Sequence, residues 1–157
     1  MTACLAATAL MVAISGTLAS AQPRPRIAVS VEARTEGRPE PDAATAQLLA
    51  EVRRSLAALN DVEIVARDGS RRTIWIIAGA APAGAAASMI VTERYDRETL
   101  MVLGIEDDEM AFKMMALQIV MDHQIFTGPG TADIAKRIVT SLDTGVFAKL
   151  RALPPRP

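Results

Sequence analysis

The chain has 157 residues, half of them hydrophobic and 3% aromatic, with 17 basic and 18 acidic side chains. A formal charge of −1 supplies no basic field for a nucleic acid or an anionic membrane surface. The single cysteine, Cys4, lies in the first apolar stretch. The remainder of the chain therefore has no thiol for an intrachain disulfide, a nucleophile, a zinc ligand or an iron–sulfur cluster.

Met1 to Ala21 carries no charge, runs Ala9-Leu10-Met11-Val12-Ala13-Ile14 through its middle and closes on Ala19-Ser20-Ala21. An apolar centre followed by small residues at −3 and −1 predicts an export signal, residues 1–21, cut after Ala21. The expected location is then periplasmic or secreted. Two alternatives use the same residues: a retained apolar anchor, and a lipid anchor on Cys4, which would require that Cys to end the apolar region instead of opening it. After cleavage no membrane span is expected. The 136 residues that remain suit one domain with a core that needs no disulfides.

Gln22 to Arg26 alternates Pro and Arg and reads as a tether, residues 22–26, because Pro holds the chain extended and donates no ladder hydrogen bond. One α/β domain is expected over residues 27–151. Ile27 to Ala33 alternates with the period of a strand. Gly37, Pro39 and Pro41 then mark a loop. From Asp42 the spacing of Leu48, Val52, Leu56 and Leu59 predicts a helix, with Pro41 in its first turn and Asn60 at its end.

Asp61 to Arg67 resumes alternation, Asp68-Gly69-Ser70 offers a turn, and Arg71 to Ala78 returns as a strand, which together predict a hairpin. The small residues Gly79 to Ala87 connect to a further antiparallel strand, Ser88 to Tyr95. Asp107, Asp108 and Glu109 favour a helix start ahead of Met110, Met114, Leu117 and Met121. Ile119, Met121, His123 and Ile125 alternate and predict a fifth strand reaching Phe126, with helix the alternative over 119–126. After Thr127-Gly128-Pro129-Gly130, Thr131 is the expected N-cap of a helix carrying Ile134, Ile138, Val139 and Leu142. Asp143-Thr144-Gly145 should interrupt it before a last turn with Val146, Phe147 and Leu150. Residues 152–157 read as a disordered tail.

The resulting fold class is α+β: a single small domain, mostly an antiparallel four- to five-stranded sheet with two or three helices packed on it, in the order β-α-β-β-β-α-(β)-α. Trp75, amid Ile74, Ile76 and Ile77, is expected to be substantially buried.

Few residues suggest chemistry. His123 is the only histidine, and its neighbour Asp122 should point away from it, since adjacent residues on a strand face opposite sides. Ser88 lacks the G-x-S-x-G elbow that exposes a nucleophile. Glu106 to Glu109 lacks the spacing and central Gly of a calcium loop, so a charged helix start explains it. The glycine pairs at Gly79 to Gly84 and Gly128 to Gly130 read as loop punctuation, not phosphate motifs. Met110, Met114 and Leu117 are packing if they face the sheet and a partner site if they form an exposed stripe.

From Arg26 to Arg151 the order of elements resembles the small periplasmic α/β domains of TolB-like envelope accessory proteins. Ile134 to Asp143, followed by Phe147 and Arg151, resembles the closing helix of uncharacterised exported bacterial proteins. The resemblance implies a fold class and an accessory role, and it carries over no functional residue. The sequence thus assigns no catalytic, cofactor-binding or metal residue and no cofactor. Its leading expectation is a non-catalytic exported module that binds a periplasmic or envelope protein, with no nucleic-acid partner. The alternative is an enzyme or small-ligand binder that uses acidic residues with His123 or Ser88.

Overall fold

A computed structural model describes residues 26–35, 40–81 and 84–153. The predicted signal, nearly all of the tether and the end of the predicted tail (154–157) lie outside the described residues.

One five-stranded mixed sheet organises the molecule, confirming the α+β class. Strand β1 (Ile27–Ala33) is followed by helix α1 (Ala43–Ala57), strand β2 (Val62–Ile64), a 3₁₀ turn (Arg67–Gly69), and strands β3 (Arg72–Ala81) and β4 (Gly84–Glu93). Short helices α2 (Arg97–Val102) and α3 (Asp108–Ala116) lead to strand β5 (Ile119–Gly128). Helix α4 (Thr131–Ser141) continues through a π-helical segment (Leu142–Phe147) into α5 (Ala148–Ala152). The spatial order is β2-β1-β3-β4-β5.

The predicted hairpin between the second and third strands does not form. Strands β2 and β3 lie on opposite flanks of β1 and both run parallel to it. β2 pairs with the first half of β1, Ile27 to Val29, while β3 starts opposite Val29 and pairs with the second half. The chain therefore passes from one flank to the other without running back along the sheet. The Ser70 hydroxyl donates to the Ala28 carbonyl, and the Ser30 hydroxyl donates to Thr73 Oγ1 at 3.0 Å, so the crossing strap keeps its buried polar groups paired. The antiparallel hairpin is instead β3–β4, because Gly79 and Ala85 to Ala87 continue the strands. Two pairings are parallel and two antiparallel, in place of a mostly antiparallel sheet.

Gly84 closes the hairpin with φ +138°, a conformation that favours glycine, and it packs against the Gly128 carbonyl too closely to admit a Cβ.

Helices α1 and α4 pack side by side on one sheet face. Alternation along the strands sends Val29, Val31, Ile74, Ile76, Met89 and Val91 to that face, against Leu48, Val52 and Leu56 of α1 and Ile134, Ile138 and Val139 of α4. Leu142 and Phe147 complete the core. The helix faces read from spacing are thus buried as expected, although Leu59 is only partly buried and lies beyond α1.

Local punctuation differs in three places. Asp42, not Pro41, begins α1: its carboxylate accepts from the Thr45 amide at 2.8 Å, and the helix ends at Ala58 before reaching Asn60. Gly130 occupies the N-cap of α4, and Thr131 is its first helical residue, with its hydroxyl turned to Glu51 of α1. Asp143-Thr144-Gly145 does not interrupt the last helix, because the π-helical segment absorbs it and the Thr144 hydroxyl donates to the Thr140 carbonyl. Arg151 then ties α5 to the start of β2 through Asp61 and contacts Asp143 at 2.6 Å. Ala152, placed in the tail by its sequence, is the last residue of α5.

Candidate functional site

The face opposite the helices is open on the side of β4 and β5. It carries Trp75, Ile77, Ser88, Ile90, His123 and Ile125, and none of these is buried. Trp75 is therefore only half-buried, contrary to the expectation from its apolar neighbours. Ile74 and Ile76 point into the core, and the period of two leaves the indole on the other side. The indole N–H donates to Thr92 Oγ1 at 3.1 Å, and the Arg67 guanidinium lies over the ring at 4.9 Å from its centroid.

Ser88 and His123 do meet here. Ser88 pairs with Ile125 and His123 with Ile90, so the two side chains are diagonal neighbours, and Ser88 Oγ lies 3.0 Å from His123 Nε2. Asp122 faces the helix side, where its carboxylate accepts from Gln124 Nε2 at 2.8 Å. Gln124 Oε1 in turn accepts from the Ser141 hydroxyl of α4. Among the described residues no carboxylate is hydrogen-bonded to His123 to orient it, and neither Ser88 nor His123 lines either of the two concavities described below. A hydroxyl–imidazole contact on an exposed sheet surface lacks the orienting group and the water-excluding pocket that nucleophilic catalysis requires.

Two concavities border this region. One, of about 350 Å³, is lined by Arg34, Trp75, Ile90, Thr92, Gln118 and Val120. The other, of about 240 Å³, sits where Arg34 and Thr35 meet Asp42 and Thr45 at the start of α1, with Ile77 and Ala78 of β3.

The acidic run begins a helix, as its composition suggests. Asp107 caps α3 by accepting from the Met110 amide at 2.7 Å, Asp108 pairs with Arg97, and Glu109 pairs with Lys113 one turn on. Among the described residues there is no group of three or more His, Cys, Asp or Glu placed to hold a metal ion.

The most unusual surface is apolar. Leu100 of α2 and Ala111 of α3 are buried apart from the main core. Around them Met101, Val102, Leu103, Met110, Phe112 and Leu117 are exposed, Val102 by 83% and Phe112 by 72%. Met114 is half-buried. Of the three residues posed as packing or as an exposed stripe, Met110 and Leu117 are exposed and Met114 is half-buried, and none joins the main core. Spacing alone had marked Met110, Met114 and Leu117, but Val102 and Phe112 became visible only once the faces of these short helices were fixed. Val120 and Met121 of the edge strand β5 are exposed as well.

Among the described residues no helix is long and apolar enough to cross a membrane. No family, no curated protein and no solved structure matches the chain, so the residues of these surfaces carry the functional argument by themselves.

Proposed function

We propose that this protein is a non-catalytic exported accessory module that binds another protein of the periplasm or envelope through the α2–α3 excursion. The observation that carries the reading is the exposure of Met101, Val102, Leu103, Met110, Phe112 and Leu117 within one excursion of the chain. Scattered apolar side chains are ordinary on a surface, but six exposed within residues 101–117 concentrate apolar area on one excursion of the chain that a partner can cover. Methionines suit such a contact because their unbranched side chains repack at little cost. The uncharged segment Met1 to Ala21, ending in Ala19-Ser20-Ala21, supports export. The likeness to TolB-like accessory domains rests on the element order read from the sequence and bears on fold class alone.

A photo-crosslinking amino acid placed at Phe112 tests the reading in native cells, with the same group at exposed Glu63 as control. A discrete adduct in the periplasmic fraction, obtained from position 112 alone and lost with Val102→Asp, is the expected result. Equal labelling from both positions, or intact residues 1–21 on protein confined to the cytosol, overturns it.

A further inference from the structure

We propose that the open sheet face holds a second, small-molecule site, selective for a monocarboxylate with a compact apolar body. It uses none of the side chains named on the α2–α3 excursion.

The roughly 350 Å³ concavity over Trp75 is within the size range of small-ligand pockets. Its floor and wall are the indole of Trp75 with Ile90 and Val120, a flat apolar surface for a ring or a short branched chain. Its polar residues are Arg34, Thr92 and Gln118, and the lining contains no carboxylate, although Arg34 also borders the second concavity beside Glu40 and Asp42. The Gln118 carbonyl oxygen is already engaged by the Thr92 hydroxyl at 3.3 Å, which leaves its N–H₂ group to donate. The Thr92 hydroxyl also accepts from the Trp75 N–H. The Gln118 N–H₂ group and Arg34 thus supply donors to the lining, and donors beside an apolar bowl match an acceptor attached to an apolar body.

Charge points the same way. Arg34 and Arg67 are exposed, and neither forms an ion pair with a carboxylate among the described residues. Arg67 lies over the Trp75 ring. Glu32 stands in register with Trp75 on β1 but does not line the concavity. A carboxylate at the rim would give Arg34 the planar two-oxygen partner that a guanidinium fits best. Inorganic anions share that charge but would leave the indole and the two aliphatic side chains uncovered.

The only tryptophan of the chain is the floor of the site, so intrinsic fluorescence reports occupancy directly. The probe is cyclohexanecarboxylate, transparent where indole absorbs, with neutral cyclohexylmethanol as its match. We expect a saturable blue shift of Trp75 emission with the acid, and binding weaker by roughly 10-fold or more for the alcohol, the factor a charge-assisted hydrogen bond supplies. Arg34→Gln should weaken binding of the acid by a similar roughly 10-fold and leave the alcohol unchanged. Arg34 is exposed, and circular dichroism of the variant checks that the fold is kept. Equal affinity for acid and alcohol, an Arg34→Gln affinity within about two-fold of the original, or no shift up to about 50 mM acid overturns the proposal.

Discussion

Ile76 and Ile125 are both isoleucines in the same sheet, yet truncating them should have very different consequences. Ile76 is fully buried between the strands and the α1–α4 layer, whereas Ile125 on the open face is 71% exposed. Ile76→Ala removes three carbon groups from the core at about 0.8 kcal/mol each. A residual cavity of about 50 Å³ adds roughly 1 kcal/mol, for a total of about 3.5 kcal/mol. Ile125→Ala removes the same atoms, but only the buried fraction of their transfer energy is lost, about 0.7 kcal/mol, and no cavity forms. With a urea dependence of about 1.5 kcal/mol per molar, the midpoint should fall by roughly 2 M for Ile76→Ala and by no more than about 0.5 M for Ile125→Ala. Urea unfolding followed by far-ultraviolet circular dichroism measures both without relying on Trp75. Equal losses, or a larger loss at Ile125, would refute the two-layer arrangement, because the open face would then be packed.

Three further outcomes follow from local geometry. The Arg151 guanidinium, through its hydrogen bond to the carboxylate, holds Asp61 below the ordinary carboxylate range despite opposition from partial desolvation. The native state therefore binds fewer protons than the unfolded chain near pH 4, and the pair's stabilisation is present above that range and lost as pH falls through the lowered value. Asp61→Asn should cost at most about 1 kcal/mol at pH 6 for a partly exposed pair, and its difference from the original protein should shrink in thermal melts as pH falls below the ordinary carboxylate range. Asp42→Ala should cost about 1 kcal/mol, because the Thr45 amide loses its cap, and Asp42→Asn should restore most of it. Gly84→Ala combines a positive φ with a collision against the Gly128 carbonyl, so a loss of more than about 1 kcal/mol is expected, against little change at Gly79→Ala, where a Cβ meets open space.

The sequence by itself determined what depends on near neighbours. The period of α1 and α4 identified Leu48, Val52, Leu56, Ile134, Ile138, Val139 and Leu142, because burying one face imposes that spacing wherever the element lies, whereas the alternation of Ile119 to Ile125 identified β5 although those side chains lie on its exposed side. The same rule separated Asp122 from His123 before their partners were known. Tertiary structure decided what depends on pairing between distant segments. A turn signal at Asp68-Gly69-Ser70 fits a hairpin and a crossing strap equally well, and only the competition of β1 for both neighbouring strands placed β2 and β3 on its two flanks. Which side of β3 faces the helices likewise put Trp75 on the open surface, and the register of β4 with β5 brought Ser88 to His123 without building a pocket around them. Local patterns record which residues share a face. Whether that face is covered depends on how much helix the whole chain can lay against it, and here two long helices cover one side of the sheet only.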